Sequence, residues 1–415
     1  FKIGSMGNTW SYDHGAEQGP AFKEMISRMR YDFERTRTEL LEERFAASFA
    51  SWCKQLGVQS RMQAYGRGYY PLEGSWDPDI PEAETWIRKG LGKEMSEQEY
   101  ATGRAYTVVN KFVSSAAHLQ GKRLVSCEEL TNIHQVFNET LDLLKVAGDQ
   151  SLVSGTNHSI FHGFNYSPPE AAFPGWVIYG SYLSERNPWW PYFEKFARYK
   201  TRLSALFQQG EMFADIAILA PTADLWSQYG SQNDPFPAVM YPGWLTHLWE
   251  SIHQNGGGCD YVSEGVIRDS KAERGGMVFG NRFYHTLFLA RVESIEPATA
   301  RKLVELAAAG LRIFCIDTFP SKAPGWKDAA PRDAEVQQWM EKLKAMTYQC
   351  FQIAAPSRAY LNWFSGLCAD AGIKTYLEMD QPNAFVSQVR YRFADADAVF
   401  LAFKLALSML VQVCW

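Results

Sequence analysis

Two runs, K-R-L-V-S-C-E-E-L-T at residues 122–131 and S-L-V-S-G-T-N-H-S-I-F-H-G-F-N-Y-S-P-P at residues 151–169, decide how the chain is read. The first holds a short apolar stretch with a β-branched member at 123–127, closed by two carboxylates. The second repeats that pattern at 151–155 and ends in Asn157, His158 and His162. Each reads as a buried strand with polar groups at its carboxyl end. Between them, Ile133, Val136, Phe137, Leu141 and Leu144 recur at near-helical spacing across 129–146, so the unit reads strand–helix–strand. In a parallel barrel the residues at strand carboxyl ends line one face, which places Glu128, His158 and His162 in one expected pocket. Glu129 reads as a first-turn helix carboxylate favoured by the macrodipole.

Upstream, Phe33, Leu40, Leu41, Phe45, Phe49, Trp52 and Leu56 predict a long amphipathic helix over 31–56, which Gly57 stops. V-Q-S-R-M-Q-A-Y-G at 58–66 follows as a strand. Its alternate residues Arg61, Gln63 and Tyr65 project toward the pocket or fill the polar layers of a barrel interior. Residues 66–84 form a glycine-, proline- and acid-rich loop. Its Asp77, Asp79, Glu82 and Glu84 are the oxygen ligands a hard cation takes, although a solvated acidic loop has the same composition. A helix is expected over 107–119. Residues 174–191 interleave Trp176, Tyr179, Tyr182, Trp189 and Trp190 with glycine and proline, which suits a sugar platform or packing beneath a long loop. A helix over 189–208 and the strand A-D-I-A-I-L-A-P at 214–221, taken as the last of the barrel type, complete this half.

At 415 residues the chain is too long for one ordinary core and suggests two or three domains. Its 46% hydrophobic and 21% charged residues are those of a folded protein. A net charge of −5 gives no electrostatic footprint for nucleic acid. The 7 cysteines form no C-x-x-C pair, so neither a disulfide framework nor a thiolate metal site is implied. The aromatic fraction of 14% fits a surface that stacks on flat apolar faces, as sugar sites do, and it equally fits large cores. No export signal is visible.

In the second half, a strand at 284–290, a helix at 297–309 with Gly310 past its end, and a strand at 311–316 make a βαβ unit with parallel strands. No G-x-G-x-x-G or G-x-x-x-x-G-K-S/T stands between strand and helix, so a nucleotide is not implied. Residues 390–401 resemble the first strand of a β-sandwich. The apolar run at 398–415 is interrupted by Lys404, Ser408 and Gln412, and it reads as part of a truncated β domain rather than a membrane span.

Several of these stretches occur together and in order elsewhere. V-S-C-E-E-L-T at 125–131, G-T-N-H-S-I-F-H-G-F-N-Y-S-P at 155–168, P-G-W at 174–176, W-W-P-Y-F at 189–193 and Y-K-T-R-L-S at 199–204 resemble glycoside hydrolase family 106, whose known members are α-L-rhamnosidases. The resemblance implies an α/β protein: a (β/α)8 TIM-type barrel, not necessarily complete, over residues 1–225. A Rossmann-like or flavodoxin-like accessory domain without nucleotide would follow over 226–385, and the start of a truncated β domain over 386–415. It further implies inverting, calcium-assisted hydrolysis of a terminal deoxysugar from a plant or algal polysaccharide. Glu128 would be the base, and Glu84, which matches the last residue of the family's D-I-P-x-x-E, a second catalytic carboxyl. Asp79 and Glu84 would hold calcium, while Asn157, His158, His162, Arg61, Gln63, Tyr65, Trp189 and Trp190 would meet the sugar. Where the family has an acidic catalytic glutamate in the first strand, this chain has Lys2, a residue suited to gripping an anion. Two alternatives follow: an enzyme of the same scaffold acting on a uronic or sulfated sugar, and a catalytically silent carbohydrate-binding relative. The expected partner is an oligo- or polysaccharide met in the periplasm or outside a bacterial cell.

Overall fold

The computed structural model describes residues 19–65, 70–87, 97–132, 137, 139–176, 180–231, 239–403 and 408–413. Lys2 lies outside them. The chain enters through α1 (Pro20–Leu41), a single π-helical turn at Glu42–Ala46 and α2 (Ala47–Gln55), and turns at Gly57 with φ +70. This helix starts 11 residues before the expected position 31, because Pro20 fits a first helical turn. The face it buries also differs from expectation. Phe33, Leu40, Phe45, Trp52 and Leu56 are exposed. The buried side carries Arg28, Arg30, Tyr31, Glu34 and Thr38. These polar groups are partnered: Arg28 donates to the carbonyls of Ala323 and Gly325 and to Asp333, and Arg30 to the Gln228 carbonyl.

Four parallel strands come next, in spatial order β1 (Arg61–Met62), β2 (Ile80–Trp86), β3 (Ser126–Thr131) and β4 (His158–Phe161). They are joined or followed by α3 (Glu97–Gln120), α4 (Leu141–Val153) and α5 (Phe193–Phe207), which pack on β2, β3 and β4 respectively. Among the described residues the four strands form an open sheet. The decisive unit is strand–helix–strand as expected, but shifted along the chain. Glu128 and Glu129 lie within β3 instead of ending it, so Glu129 is not a helix-start carboxylate. The S-L-V run read as a strand is the last turn of α4, where Leu152 and Val153 are buried and Gly155, with φ +101, ends the helix. Thr140 sets the start of α4 by accepting a hydrogen bond from the Leu143 N–H. The acid-rich segment read as loop is β2. Its Glu82 and Glu84 lower its apparent strand propensity, because one face of the strand is given to polar groups.

Beyond α5, β5 (Glu211–Met212) leads to β6 (Ile216–Leu219), α6 (Thr222–Tyr229), α7 (Gly243–Gln254), β7 (Cys259–Val262) and α8 (Glu264–Asp269). An antiparallel trio follows: β8 (Lys271–Glu273), β9 (Gly276–Phe279) and β10 (Arg282–Tyr284). Then come β11 (Thr286–Ala290), α9 (Pro297–Ala308), β12 (Arg312–Ile316), α10 (Ala329–Lys344), β13 (Cys350–Ile353) and α11 (Tyr360–Ala371). The parallel strands are ordered β13-β12-β11-β6-β7. The expected 284–316 unit is therefore present, with β11 and β12 parallel and in register. However, β6, expected as the last barrel strand, is hydrogen-bonded between β7 and β11 in this second sheet. Its four residues are all buried, as a central parallel strand requires, so apolarity alone could not tell the two sheets apart. The chain closes on β14 (Val386–Arg392), β15 (Asp397–Phe403) and β16 (Ser408–Val413), an antiparallel meander that also pairs with β5. Among the described residues no helix is long and apolar enough to cross a membrane.

Helix α3 joins the two parallel sheets. It packs on β2 on one side and on α7 and β7 on the other, with Phe112 stacked on Tyr261 at 4.0 Å between ring centroids. A buried polar link crosses the same seam: Asp260 of β7 meets His118 of α3 at 2.6 Å and the Tyr284 hydroxyl at 2.8 Å.

Candidate active site

The first sheet has two chemically different faces, set by the two-residue period of a strand. Thr85, Cys127 and Glu129 turn toward the helices. Thr85 meets Ser151 of α4 at 2.6 Å, and Glu129 is paired at 3.0 Å with Lys200 of α5, both side chains being buried. Glu129 is therefore a core ion pair. Glu82 and Glu84 of β2 and Ser126 and Glu128 of β3 project from the opposite face, and Glu84 and Glu128 are direct register partners on neighbouring strands. At Leu130 the chain takes φ +72, and β3 has one extra residue opposite Thr85–Trp86. This bulge lets Leu130 pack with the helix-side core and returns Thr131 to the polar face.

The polar face is a continuous hydrogen-bonded network. Gln63 Nε2 donates to Glu128 Oε2 at 2.5 Å and to Glu82 Oε1 at 3.2 Å. Its carbonyl oxygen lies 2.7 Å from the Tyr65 hydroxyl, which is also 3.0 Å from Glu84 Oε2. Thr131 donates to Glu84 Oε1 at 2.8 Å, and His162 Nδ1 lies 3.1 Å from both the Thr131 hydroxyl and Glu128 Oε1. The phenol of Tyr65 has one proton for two acceptor oxygens. A proton on Glu84 resolves the shortage: the carboxylic acid donates to the phenol, and the phenol donates to Gln63. Burial raises Glu84 to about 7, the Glu128 carboxylate pushes the same way, and the hydrogen bonds from Thr131 and Tyr65 oppose the shift only in part. Glu128 accepts from Gln63 and lies 3.1 Å from His162 Nδ1.

Exposure divides the roles further. Glu84 is 7% exposed, whereas the Glu128 and His162 side chains are 29% and 35% exposed, so a ligand meets the latter two first. Toward the amino end of the strands Arg61 pairs with Glu82 at 3.1 Å. His158 sits beside them with its pKa lowered by burial and then by Arg61, and its buried Nδ1 has no partner among the described residues.

The structure thus gathers Glu84, Glu128, His162, Gln63, Tyr65, Arg61 and His158 on one face. It does not bring the remaining expected residues there. Asn157 spends its side-chain amide on the Val125 N–H and the Arg123 carbonyl, 2.9 Å each, holding the start of β3 instead of a sugar. Trp189 donates to the Glu139 carbonyl, and Trp190 stacks on Phe193 at 5.2 Å; both pack against the core beneath α5. Among the described residues the exposed rings of this region are instead Phe164, Tyr166, Phe173, Trp176 and Tyr192.

Asp79 and Glu84 do not fit one metal ion. Asp79 accepts from the Ser60 N–H and hydroxyl at 2.8 and 2.9 Å, which hold its carboxyl below the usual range. Five residues of extended chain separate it from Glu84 by about 16 Å, beyond any shared coordination sphere. Among the described residues no group of three or more His, Cys, Asp or Glu side chains is placed to hold a metal. Among the members of the polar face not read as catalytic or sugar-binding are Glu82, read only as a possible cation ligand, and Thr131. Glu82 was legible as the i−2 neighbour of Glu84 once β2 is taken as a strand. Thr131 was not, because only the bulge at Leu130 turns it inward.

Two carboxyls on adjacent parallel strands, one buried with its pKa raised to about 7 and the other partly open to solvent, are the equipment of acid–base hydrolysis, and glycosidases work with such a pair. The comparisons agree on that class. The family model described as alpha-L-rhamnosidase matches residues 21–406, and the chain belongs to glycoside hydrolase family 106. A protein of Formosa agariphila that carries the provisional name beta-glucuronidase is 26% identical over 319 residues, covering 76% of this chain and 24% of its own length. The solved rhamnosidase from Novosphingobium sp. PP1Y superposes with a TM-score of 0.64 at 19% identity, over 91% of this chain and 34% of that one. A family 42 β-galactosidase from G. stearothermophilus gives a TM-score of 0.63 at 11% identity, over 95% of this chain and 68% of its own. The chain therefore spans about a quarter of the Formosa relative and about a third of the rhamnosidase.

Proposed function

We propose that this chain carries catalytic carboxylates of an α-L-rhamnosidase-like enzyme that removes a terminal deoxysugar from a plant or algal polysaccharide, in the periplasm or outside the cell. The observation that carries the reading is the in-register pair Glu84–Glu128, whose hydrogen bonds call for a proton on one member and none on the other. In the proposed reaction Glu128 takes a proton from water as the water oxygen attacks the anomeric carbon. The glycosidic C–O bond breaks, and the departing oxygen takes the proton that Glu84 holds. Gln63 and His162 orient Glu128, and Tyr65 and Thr131 keep Glu84 in place. Inversion, which needs the two carboxyls roughly 6.5–9.5 Å apart around the water, belongs to the proposal through the family resemblance; the anomer released first, read by proton NMR, tests it. In this reading the four-stranded unit is the remnant of a barrel, and the five-stranded sheet is a Rossmann-like accessory unit.

Calcium assistance stays in the proposal without assigned ligands, and no step is routed through it. Chelation should lower turnover and added calcium restore it; turnover indifferent to both removes the ion. The central test is Glu128→Gln assayed on an aryl α-L-rhamnoside, where hydrolysis should fall by at least about 10²-fold with the fold intact. Turnover within tenfold of the parent would take Glu128 out of the mechanism.

A second reading, hydrolysis of an anionic sugar, is favoured by Arg61, whose side chain is 42% exposed beside the polar face, and by the name of the Formosa relative. Turnover of aryl uronides with none of rhamnosides would select it, and binding of sugars without turnover of either would mark a silent relative.

A further inference from the structure

The second sheet has its own cavity, of about 510 Å³, at the carboxyl ends of β6, β7 and β11. It opens where β6 and β11 lie side by side although later strands were added to opposite edges. This is the switch point at which open parallel sheets hold ligands. Helix α1 and residues 70–76 roof it. Those roof residues precede β2, whereas Glu84 stands in its carboxyl half, so this cavity is separate from the carboxylate pair described above.

Four polar atoms in its wall are buried and have no partner among the described residues: Glu42 Oε1, Tyr70 Oη, Glu73 Oε2 and Trp76 Nε1. Two are carboxyl oxygens, one is a donor, and the Tyr70 hydroxyl can do either; each unpaired buried group of this kind carries a desolvation cost that a ligand can relieve. Tyr70 and Trp226, 6.1 Å apart and edge to face, supply flat apolar wall beside them. The occupant must therefore donate, accept and present an apolar face in a volume suited to a small molecule. An anion would meet Glu42, Glu73 and Glu264, while the guanidinium groups of the wall, Arg35 and Arg268, are already paired with Glu39, Glu296 and Glu264. An ammonium ion would leave the indole N–H unpaired. Sugar hydroxyls both donate and accept, and the C–H face of a pyranose lies on aromatic rings.

We propose that this cavity is a second carbohydrate site that binds a neutral mono- or disaccharide unit through Glu42, Glu73 and Trp76, apart from the hydrolytic pair. The inference does not depend on which sugar, if any, Glu128 turns over.

The test is a crystal soak and a calorimetric titration of the parent chain with L-rhamnose, D-galactose, D-glucuronate and putrescine, repeated on Trp76→Phe and Glu42→Ala. Trp76→Phe keeps an aromatic face while it removes the donor along with the five-membered part of the indole, and Glu42→Ala suits the helix turn in which it lies. A neutral sugar should occupy the cavity with its hydroxyls on Glu73 and Trp76, and each variant should weaken that binding by about tenfold, one lost hydrogen bond. Hydrolysis of a small aryl glycoside, if the parent catalyses it, should be unchanged in both. A cavity empty at sugar concentrations that saturate any other site overturns the proposal. So does occupancy by putrescine or glucuronate in preference to neutral sugars, or equal binding by parent and variants.

Discussion

Replacing Glu84 with Gln tests the proton assignment through stability, without relying on any substrate. The unfolded chain gives up this proton near 4.5, whereas the folded protein keeps it to about 7. Stability from this group is therefore greatest below about 4.5 and is lost as pH rises through about 7. From about pH 5.5 to about pH 8 the folded state should lose about 2 kcal/mol through Glu84, at 1.36 kcal/mol per unit over the roughly 1.5 units below its pKa. Glutamine cannot ionise and retains both an acceptor for Thr131 and a donor toward Tyr65. The variant should lack this loss, so the difference in unfolding free energy between parent and Glu84→Gln should move by about 2 kcal/mol in the variant's favour across that interval. Urea denaturation at the two pH values measures it, and taking a difference of differences cancels the other titrating groups. A constant difference, with parent and variant shifting in parallel, would mean that Glu84 is ionised throughout and that the Tyr65 proton is shared another way.

Thr131→Val removes the hydroxyl that favours ionised Glu84, so Glu84 should titrate higher still. The alkaline limb of kcat/KM should move upward in pH, and an unmoved limb would separate Glu84 from the rate. Lys200→Met leaves Glu129 buried without its cation, at a cost of about 3–5 kcal/mol. Thermal unfolding should show a large fall in Tm that Lys200→Met/Glu129→Gln partly restores; a single variant as stable as the parent would mean that the pair contributes nothing.

Much of this molecule was legible where hydrophobic period and chain chemistry agree. The βαβ unit from β11 to β12 could be read because Pro297 opens its helix, Gly310 follows its end with φ +108, and both strands are apolar throughout. Legibility failed where burial and polarity part company. Helix α1 buries Arg28 and Arg30 against distant carbonyls and a distant carboxylate, partners that leave no local signal, although its buried Glu34 has a partner within the helix, Arg37. Strand β2 is hidden by its own polarity, because the glutamates of its polar face make it resemble a loop. Asn157 and Trp189 look like recognition groups in isolation, yet each is consumed by a backbone carbonyl that only the fold brings near.

Glu128 and Glu129 are chemically the same side chain one peptide apart, and the pleat sends one to water and the other to Lys200. Their fates are fixed by parity alone. Inserting one residue in β3 ahead of them would carry Glu128 into the place opposite the lysine and turn Glu129 outward, beyond the place Glu128 held. Such a protein could keep both carboxylates, its core ion pair and its composition while the surviving outward glutamate stands one step from Gln63 and His162. In this strand, then, counting errors imitate conservative substitutions, and a relative that retains the E-E dipeptide keeps the first glutamate outward only if an even number of strand residues, here Ser126 and Cys127, still precedes it.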